Sequence, residues 1–169
     1  MKEAIQTLIT SDKMAHAFEY LKQDEAHTID QQIELVQISS FSPFEEKRAI
    51  RFKELLTEAG LDPVMDEVHN VYAHIHGTGN GPTLYVSAHL DTVFPPETPL
   101  PVKREGTKIY APGIGDDTRG LAEILTLARA IKESGLKPVG DIIIGGNVGE
   151  EGLGDLRGMR HFFSKNADK

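Results

Sequence analysis

Cysteine and tryptophan are both missing from this 169-residue sequence, and basic residues are fewer than acidic ones. Without cysteine the chain has no disulfide framework, no thiolate zinc site and no cysteine nucleophile, so any metal must be held by histidine and carboxylate groups. The 26 acidic and 18 basic residues give a formal net charge of -8. This charge disfavours nucleic acids and anionic membranes as partners, because both bind basic surfaces.

Long apolar runs are missing as well. No uncharged apolar stretch approaches the roughly 20 residues that span a bilayer, and the first residues contain lysine and glutamate without a run of signal-peptide length. We therefore expect no membrane partner, no secretion and a cytoplasmic location. With 39% hydrophobic and 26% charged residues, the composition is typical of one globular domain.

The first part of the chain shows helical periodicity. Apolar residues recur at helical spacing from about 11 to 38, which predicts one long or broken helix. The segment Ser42-Pro43-Phe44-Glu45 matches a capping box with proline at the first helical position, and Gly60 ends the periodic stretch behind it. We predict a second helix from about 43 to 59.

Strand patterns follow these helices. Residues 63–76 alternate and are rich in valine, and a glycine-rich turn separates them from residues 83–88, which predicts a hairpin leading into a buried strand. Residues 121–131 predict an amphipathic helix and residues 141–146 a further strand. This order predicts a three-layer α/β domain, which usually carries its site on loops beyond the carboxyl ends of central strands.

Three polar segments fall at such strand ends or just before a helix. They are His89-Leu90-Asp91, Gly115-Asp116-Asp117 and Gly149-Glu150-Glu151-Gly152. Together they supply one histidine and five carboxylates, which suit a hard or borderline divalent metal. They also carry more charge than an unpaired protein interior tolerates.

Each segment alone has an ordinary structural explanation. A His-x-Asp at a strand end is commonly a hydrogen-bonded pair, paired aspartates before a helix commonly provide an N-cap, and adjacent glutamates commonly form a solvated surface. However, all three segments border predicted buried strands or helices and lie among glycines, where solvated helix faces are not found. The combination therefore favours a metal site.

The spacing within two segments suits such a site. In an extended loop His89 and Asp91 point the same way, so the carboxylate can orient the imidazole. Adjacent residues at a strand end point in opposite directions, so one of Glu150 and Glu151 can bind metal while the other faces a water.

In order and interval, these segments resemble the motifs of the co-catalytic zinc exopeptidases and deacylases, which include peptidase T, glutamate-type carboxypeptidases and aminoacylases. The intervals are 116 − 89 = 27 and 150 − 116 = 34 residues, and the resemblance runs from about residue 29 to the end. It implies a three-layer α/β/α catalytic domain with a mixed central sheet. Residues 1–169 would be its N-terminal portion, with the dimerisation domain and the C-terminal catalytic half absent.

The resemblance also implies a role for each residue. His89 would bind one zinc ion, Glu151 would bind the other, and Asp116 would bridge both. Asp91 would support the site, and Glu150 would be the general base that takes a proton from a metal-bridging water.

The resemblance favours Asp116 over Asp117 as the bridge, because the family's bridging aspartate precedes a glycine by four residues and an apolar residue by five, as Asp116 precedes Gly120 and Leu121. The segment Asp117-Thr118-Arg119 departs from the commoner Asp-x-Lys pattern, so Asp117 stays open as the alternative. The resemblance further implies that the peptide bond between the two aspartates is cis.

The function implied by the resemblance is zinc-dependent hydrolysis of amide bonds in small peptides, with the segment 149–154 most similar to the tripeptidase branch. A small peptide or an N-acyl amino acid would be the substrate, and the full-length form would be a homodimer. Family members carry a further carboxylate ligand and a distal histidine ligand, and both would lie beyond Lys169. His161 matches neither position, so we expect it and the other remaining histidines to be structural or at the surface.

Two alternatives stay open at this point. The same motifs serve N-acyl amino acid deacylases, including succinyl-diaminopimelate desuccinylase. The chain would otherwise be a non-catalytic, metal-poor fragment of such an enzyme, and its short ligand set implies that these residues alone are inactive.

Overall fold

A computed structural model describes residues 2–166, which form helices, strands and one 3-10 turn at Gly152–Gly154. The helices are α1 (Lys2–Ile9), α2 (Asp12–Gln23), α3 (Glu25–Val36), α4 (Glu46–Glu58), α5 (Thr118–Ser134) and α6 (Arg157–Lys165). The strands are β1 (Val64–Met65), β2 (Val71–Ile75), β3 (Leu84–His89), β4 (Lys103–Glu105), β5 (Lys108–Tyr110) and β6 (Ile142–Asn147).

Four strands form a mixed sheet in the order β1-β2-β6-β3. Strand β2 is antiparallel to both β1 and β6, whereas β3 is parallel to β6. Strand β6 is buried along nearly its whole length, because it has a strand on each side and helices over both faces. Strands β4 and β5 pair separately in a small hairpin that the sequence patterns did not predict.

Helices cover both faces of this sheet. On one face, Phe52 of α4 and Leu121 of α5 join Ile144 of β6 in the main hydrophobic core. On the other face, the ring of Tyr85 stacks on Phe162 of α6 with ring centroids 4.3 Å apart. The three-layer α/β/α architecture with a mixed sheet is therefore confirmed.

Residues 63–76 form β1 and β2, which pair antiparallel, but the glycine-rich turn after them does not close a hairpin, because β6 lies between β2 and β3. The strand that follows is buried only at its carboxyl end, because β3 lies at the edge of the described sheet. Leu84 at its start is 57% exposed, whereas Ala88 and His89 are buried. No helix in the described range is both long and apolar enough to cross a membrane.

The start of α4 differs from the prediction. The helix begins at Glu46, and the N-cap residue Glu45 makes no side-chain capping hydrogen bond. Pro43 instead lies in a turn after a cis Ser42-Pro43 bond, and the Glu45 carboxylate is fully buried against Arg157. The capping box was wrong, because Glu45 is taken by the buried ion pair and the Ser42 hydroxyl, which would have capped the helix, accepts a hydrogen bond from Arg157 instead.

The predicted helix over residues 11–38 is broken at Asp24, which separates α2 from α3. Its carboxylate is only 8% exposed and accepts hydrogen bonds from Thr126 at 2.7 Å and from Arg129 at 2.5 Å, both on α5. Burial by itself raises the pKa of Asp24, but the hydrogen bonds from Arg129 and Thr126 outweigh it and lower the pKa. Asp24 therefore fixes the N-terminal helices to α5.

Replacing Asp24 by alanine should lower the free energy of unfolding by about 3–5 kcal/mol, because Arg129 is left buried without a counter-charge. Because folding lowers the pKa of Asp24, its contribution is present above the ordinary value of about 3.9 and is lost as the pH falls. Urea unfolding at neutral and acidic pH measures both effects.

The matched control is Asp30→Ala in the neighbouring helix. Asp30 pairs with Arg104 at 3.4 Å, but its side chain is 74% exposed, so this variant should lose no more than about 1 kcal/mol. Equal losses in the two variants would contradict the role given to Asp24.

Candidate metal centre

The predicted site residues lie at the carboxyl ends of β3 and β6. These strands are parallel and in register, with His89 opposite Asn147, so the loop after His89 lies beside the loop that carries Glu150 and Glu151. Helix α5 begins at the same end with its N-cap at Asp117. The topology therefore brings together three segments that are far apart in the sequence.

Three side chains converge at this end of the sheet. Ligand atoms of His89, Asp116 and Glu151 all lie within 4.8 Å of one another, and His89 Nε2 is 2.8 Å from an oxygen of Asp116. In a tetrahedral zinc site with bonds of about 2.0–2.1 Å, two ligand atoms lie roughly 3.3 Å apart. A small increase in the distance between His89 Nε2 and the Asp116 oxygen would therefore admit an ion. Imidazole nitrogen and carboxylate oxygen together form a ligand set that zinc accepts.

Asp91 connects the histidine to the glutamate pair. It is 0% exposed, and its two carboxylate oxygens accept the backbone N–H groups of Glu150 at 3.0 Å and Glu151 at 2.8 Å. His89 Nδ1 lies 3.0 Å from the main-chain oxygen of Asp91. A proton on Nδ1 that donates to this oxygen leaves the Nε2 lone pair facing Asp116 and Glu151, as a metal ligand requires.

The structure separates the two neighbouring aspartates. Asp116 belongs to the converging group, whereas Asp117 caps α5 by accepting the N–H of Gly120 at 3.0 Å and also accepts the N–H of His89 at 3.2 Å. Burial raises the pKa of Asp117. The peptide bond between the two residues is cis, as expected.

Glu150 and Glu151 take different positions. A Glu150 oxygen lies 3.9 Å from His89 Nε2, but Glu150 does not join the group of three that the described residues form. Burial and the nearby charge of Asp116 raise the pKa of Glu151. Glu150 is therefore beside the converging group, while Glu151 is part of it.

His161, which the sequence analysis excluded as a ligand, does not belong to the converging group of the described residues. His161 Nε2 lies 3.2 Å from a carboxylate oxygen of Glu67, and its side chain is only 17% exposed, which is compatible with a structural role.

The sequence patterns did not predict two contacts that support the site. Arg48 is 1% exposed and donates to the main-chain oxygen of Leu90 at 2.8 Å, directly before Asp91. Burial lowers the pKa of Arg48 to about 10, and the charge of Asp91 acts in the opposite direction. No local pattern distinguishes this buried arginine from the surface charges of α4.

The second contact is an ion pair between Arg157 and the buried Glu45. Arg157 also donates to the Ser42 hydroxyl at 2.9 Å, so it ties the loop behind Glu151 to the start of α4. Gly149 has a φ of +66°, which side chains rarely adopt, and a Cβ there would lie 2.8 Å from Arg157 Cγ and 3.1 Å from the main-chain oxygen of Gly154, which explains the glycine directly before Glu150.

The imidazole of His89 should compete with metal for a proton. Burial alone would lower the pKa of His89, but hydrogen bonds with Asp91 and Asp116 outweigh it and raise the pKa to about 9. In the metal-free protein the charged form is therefore stabilising below the ordinary pKa of about 6.5, and this contribution is lost as the pH rises through about 9.

Zinc affinity should consequently rise about tenfold per pH unit, or about 100-fold from pH 6 to pH 8, with about one proton released per zinc. Competition with a chelating dye measures the affinity, and calorimetry in two buffers counts the protons. The His161→Ala variant is the control and should keep the same slope. An affinity that does not change over this range would contradict the pKa shift.

Comparison with known proteins gives a match to the profile of Peptidase family M20/M25/M40 over residues 85–169. This range contains all three polar segments of the site. Residues 1–84, which include helices α1 to α4 and strands β1 and β2, lie outside the match.

Individual relatives agree with this match. Carboxypeptidase G2 of a Pseudomonas species is 38% identical over 84 residues, which are 48% of this chain and 20% of that protein. A solved tripeptidase of Staphylococcus aureus is 31% identical with a TM-score of 0.61, over 75% of this chain and 37% of that one. The aminopeptidase PepT of Bacillus cereus is 26% identical with a TM-score of 0.62, over 73% and 36%.

The chain thus spans between a fifth and two fifths of the length of these relatives.

Proposed function

Because this chain belongs to Peptidase family M20/M25/M40, we propose that it provides the metal-binding part of a hydrolase that cleaves amide bonds in small peptides. The observation that carries this proposal is the convergence of His89, Asp116 and Glu151 within 4.8 Å, with Glu150 beside them. A metal ion, a general base and a water-accessible position can then meet at one end of the sheet.

Zinc is the metal that we propose, and it would supply a Lewis acid that lowers the pKa of a water molecule toward neutrality. His89 would hold one ion and Glu151 a second, and the two ions would share Asp116. Asp91 would keep the Nδ1 proton of His89 in place and would fix the backbone of both glutamates.

Glu150 is the residue that we assign to proton transfer. Its carboxylate is 44% exposed and lies 3.9 Å from a proposed ligand atom, so it can contact a water without binding the metal. Glu150 would accept the proton of the attacking water and deliver it to the leaving amine.

The metal set of the proposed enzyme needs more residues than these. Catalytic zinc normally has three protein ligands, and two ions that share Asp116 would each have only two from this chain. Since the chain spans a minor part of its relatives, we propose that residues 1–169 are the N-terminal portion of the catalytic domain. The other ligands would come from the rest of that enzyme.

The test uses the complete natural protein, stripped by a chelator and reloaded with zinc. We expect zinc-dependent release of amino groups from dipeptides and tripeptides, which His89→Ala should remove and His161→Ala should preserve. Release from N-acyl amino acids but not from peptides would replace the peptidase with a deacylase. No zinc-dependent release from any of these amides would contradict the proposal.

A further inference from the structure

A groove of about 540 Å³ begins at Glu151 and runs between the turn at residues 41–43 and the turn at residues 152–154. We call it the Leu153 groove. Its larger side chains are mainly apolar: they are Phe41, Pro43, Val93 and Leu153. Leu153 is fully exposed and Val93 is 51% exposed, and exposed apolar side chains beside a site commonly mark a binding surface.

The charged groups of the Leu153 groove are already engaged. Arg157 lines it, but its guanidinium donates to Ser42 at 2.9 Å and to the fully buried Glu45 at 2.5 Å. Glu151, at the other end, belongs to the converging group. An acidic side chain in the groove would therefore find no uncompensated cation, and any charged side chain would lose hydration without a new partner.

A second groove of about 350 Å³ is lined by Phe94, Ala111 and Ile114, and it also contains Asp116 of the converging group. The two grooves share Thr92, Val93 and Glu151. Glu151 of the converging group therefore lies where the grooves meet. An amide bound beside Glu151 would direct one flanking group toward each groove.

From this continuity we propose that the Leu153 groove binds an uncharged apolar side chain next to the amide to be cleaved. This inference rests on the proposed function. It names the substrate class as short peptides or N-acyl amino acids with leucine, methionine or phenylalanine at that position, in preference to acidic or basic residues. Val93 and Leu153 are the residues that determine this preference.

Binding can be tested on the 169-residue chain without catalysis. Methyl NMR spectra are recorded during titration with N-acetyl-leucinamide and with the amides of N-acetyl-glutamate and N-acetyl-lysine. We expect saturable shifts of the Val93 and Leu153 methyl groups, with the leucine probe at least about tenfold tighter than the charged probes. Preferred binding of a charged probe, or shifts confined to other methyl groups, would overturn the proposal.

Variants locate the effect. Val93→Asp and Leu153→Asp should each weaken the leucine probe about tenfold or more. Val139→Asp is the matched control, because Val139 is 67% exposed and lines neither groove, and it should leave the affinity unchanged. Equal affinities in all three variants would count against the groove.

Hydrolysis by the complete protein separates this inference from the proposed function. Peptides that differ only in leucine or glutamate at the flanking position should differ about 10- to 200-fold in kcat/KM, and Leu153→Asp should reduce this ratio. Hydrolysis with a preference for charged residues would contradict the role of the Leu153 groove and support the proposed function. Selective binding of the leucine probe with no hydrolysis of any amide would support the role of the groove and contradict the proposed function.

Discussion

Glu150→Gln in the complete protein should reduce peptide hydrolysis by about 100- to 10,000-fold, which is the usual contribution of a general base. Glutamine is close to glutamate in size but cannot accept the proton of the attacking water. Metal content should remain nearly unchanged, because Glu150 lies outside the group of three ligand atoms in the described residues. Steady-state rates and bound zinc, measured on the same sample, give both values.

Glu151→Gln is the matched control one residue away. Glu151 belongs to the converging group, so this variant should lose metal affinity by at least about tenfold as well as activity. Both backbone N–H groups still reach Asp91 in either variant, so the loop itself is preserved. Equal retention of metal in the two variants would show that the roles of base and ligand are wrongly assigned.

The 169-residue chain by itself should bind zinc more weakly than micromolar and show no meaningful peptide turnover. Residues 2–166 bring together His89, Asp116 and Glu151, so two ions that share Asp116 would each have two protein ligands, where catalytic zinc normally has three. Each ion would therefore be one ligand short. The carboxylates left without a full complement of cations hold protons more tightly, as the raised pKa of Glu151 indicates.

Equilibrium dialysis against buffered zinc, with an amidase assay on the same protein, measures this expectation. The His89→Ala chain is the control for adventitious binding and should lose the weak site. Micromolar or tighter binding of two zinc ions by the unmodified chain, with hydrolysis of small peptides, would mean that it contains ligands we have not identified.

The sequence predicted which three segments come together, because their placement follows from local signals. His89 and Glu150 each follow a strand with a strong β pattern, and parallel strands place their carboxyl ends at the same edge of a sheet. The spacing to Gly120 favoured Asp116, and the structure brings Asp116 to His89. Asp117 caps α5, and a helix cap is the ordinary role of an aspartate directly before a helix. The sequence alone therefore could not show which of the two aspartates was the cap and which the ligand candidate.

The supporting contacts lay beyond prediction, because they join residues far apart in the chain. Glu45 and Arg157 are 112 residues apart, and each is locally indistinguishable from a surface charge. The local pattern at residues 42–45 favours a helix cap, but tertiary burial gives Glu45 a different role. The insertion of β6 between β2 and β3 is likewise a long-range result that periodicity cannot show.

The central claim is that His89, Asp116 and Glu151 together bind the metal. The most direct measurement is an anomalous difference map from a crystal of the protein held in millimolar zinc, recorded above and below the zinc absorption edge. We expect one zinc peak about 2.0–2.2 Å from His89 Nε2 and a second at this distance from a carboxylate oxygen of Glu151, with Asp116 shared between them, and the peak beside residue 89 should be absent from crystals of His89→Ala. A zinc peak elsewhere, with these three side chains uncoordinated, would contradict the claim.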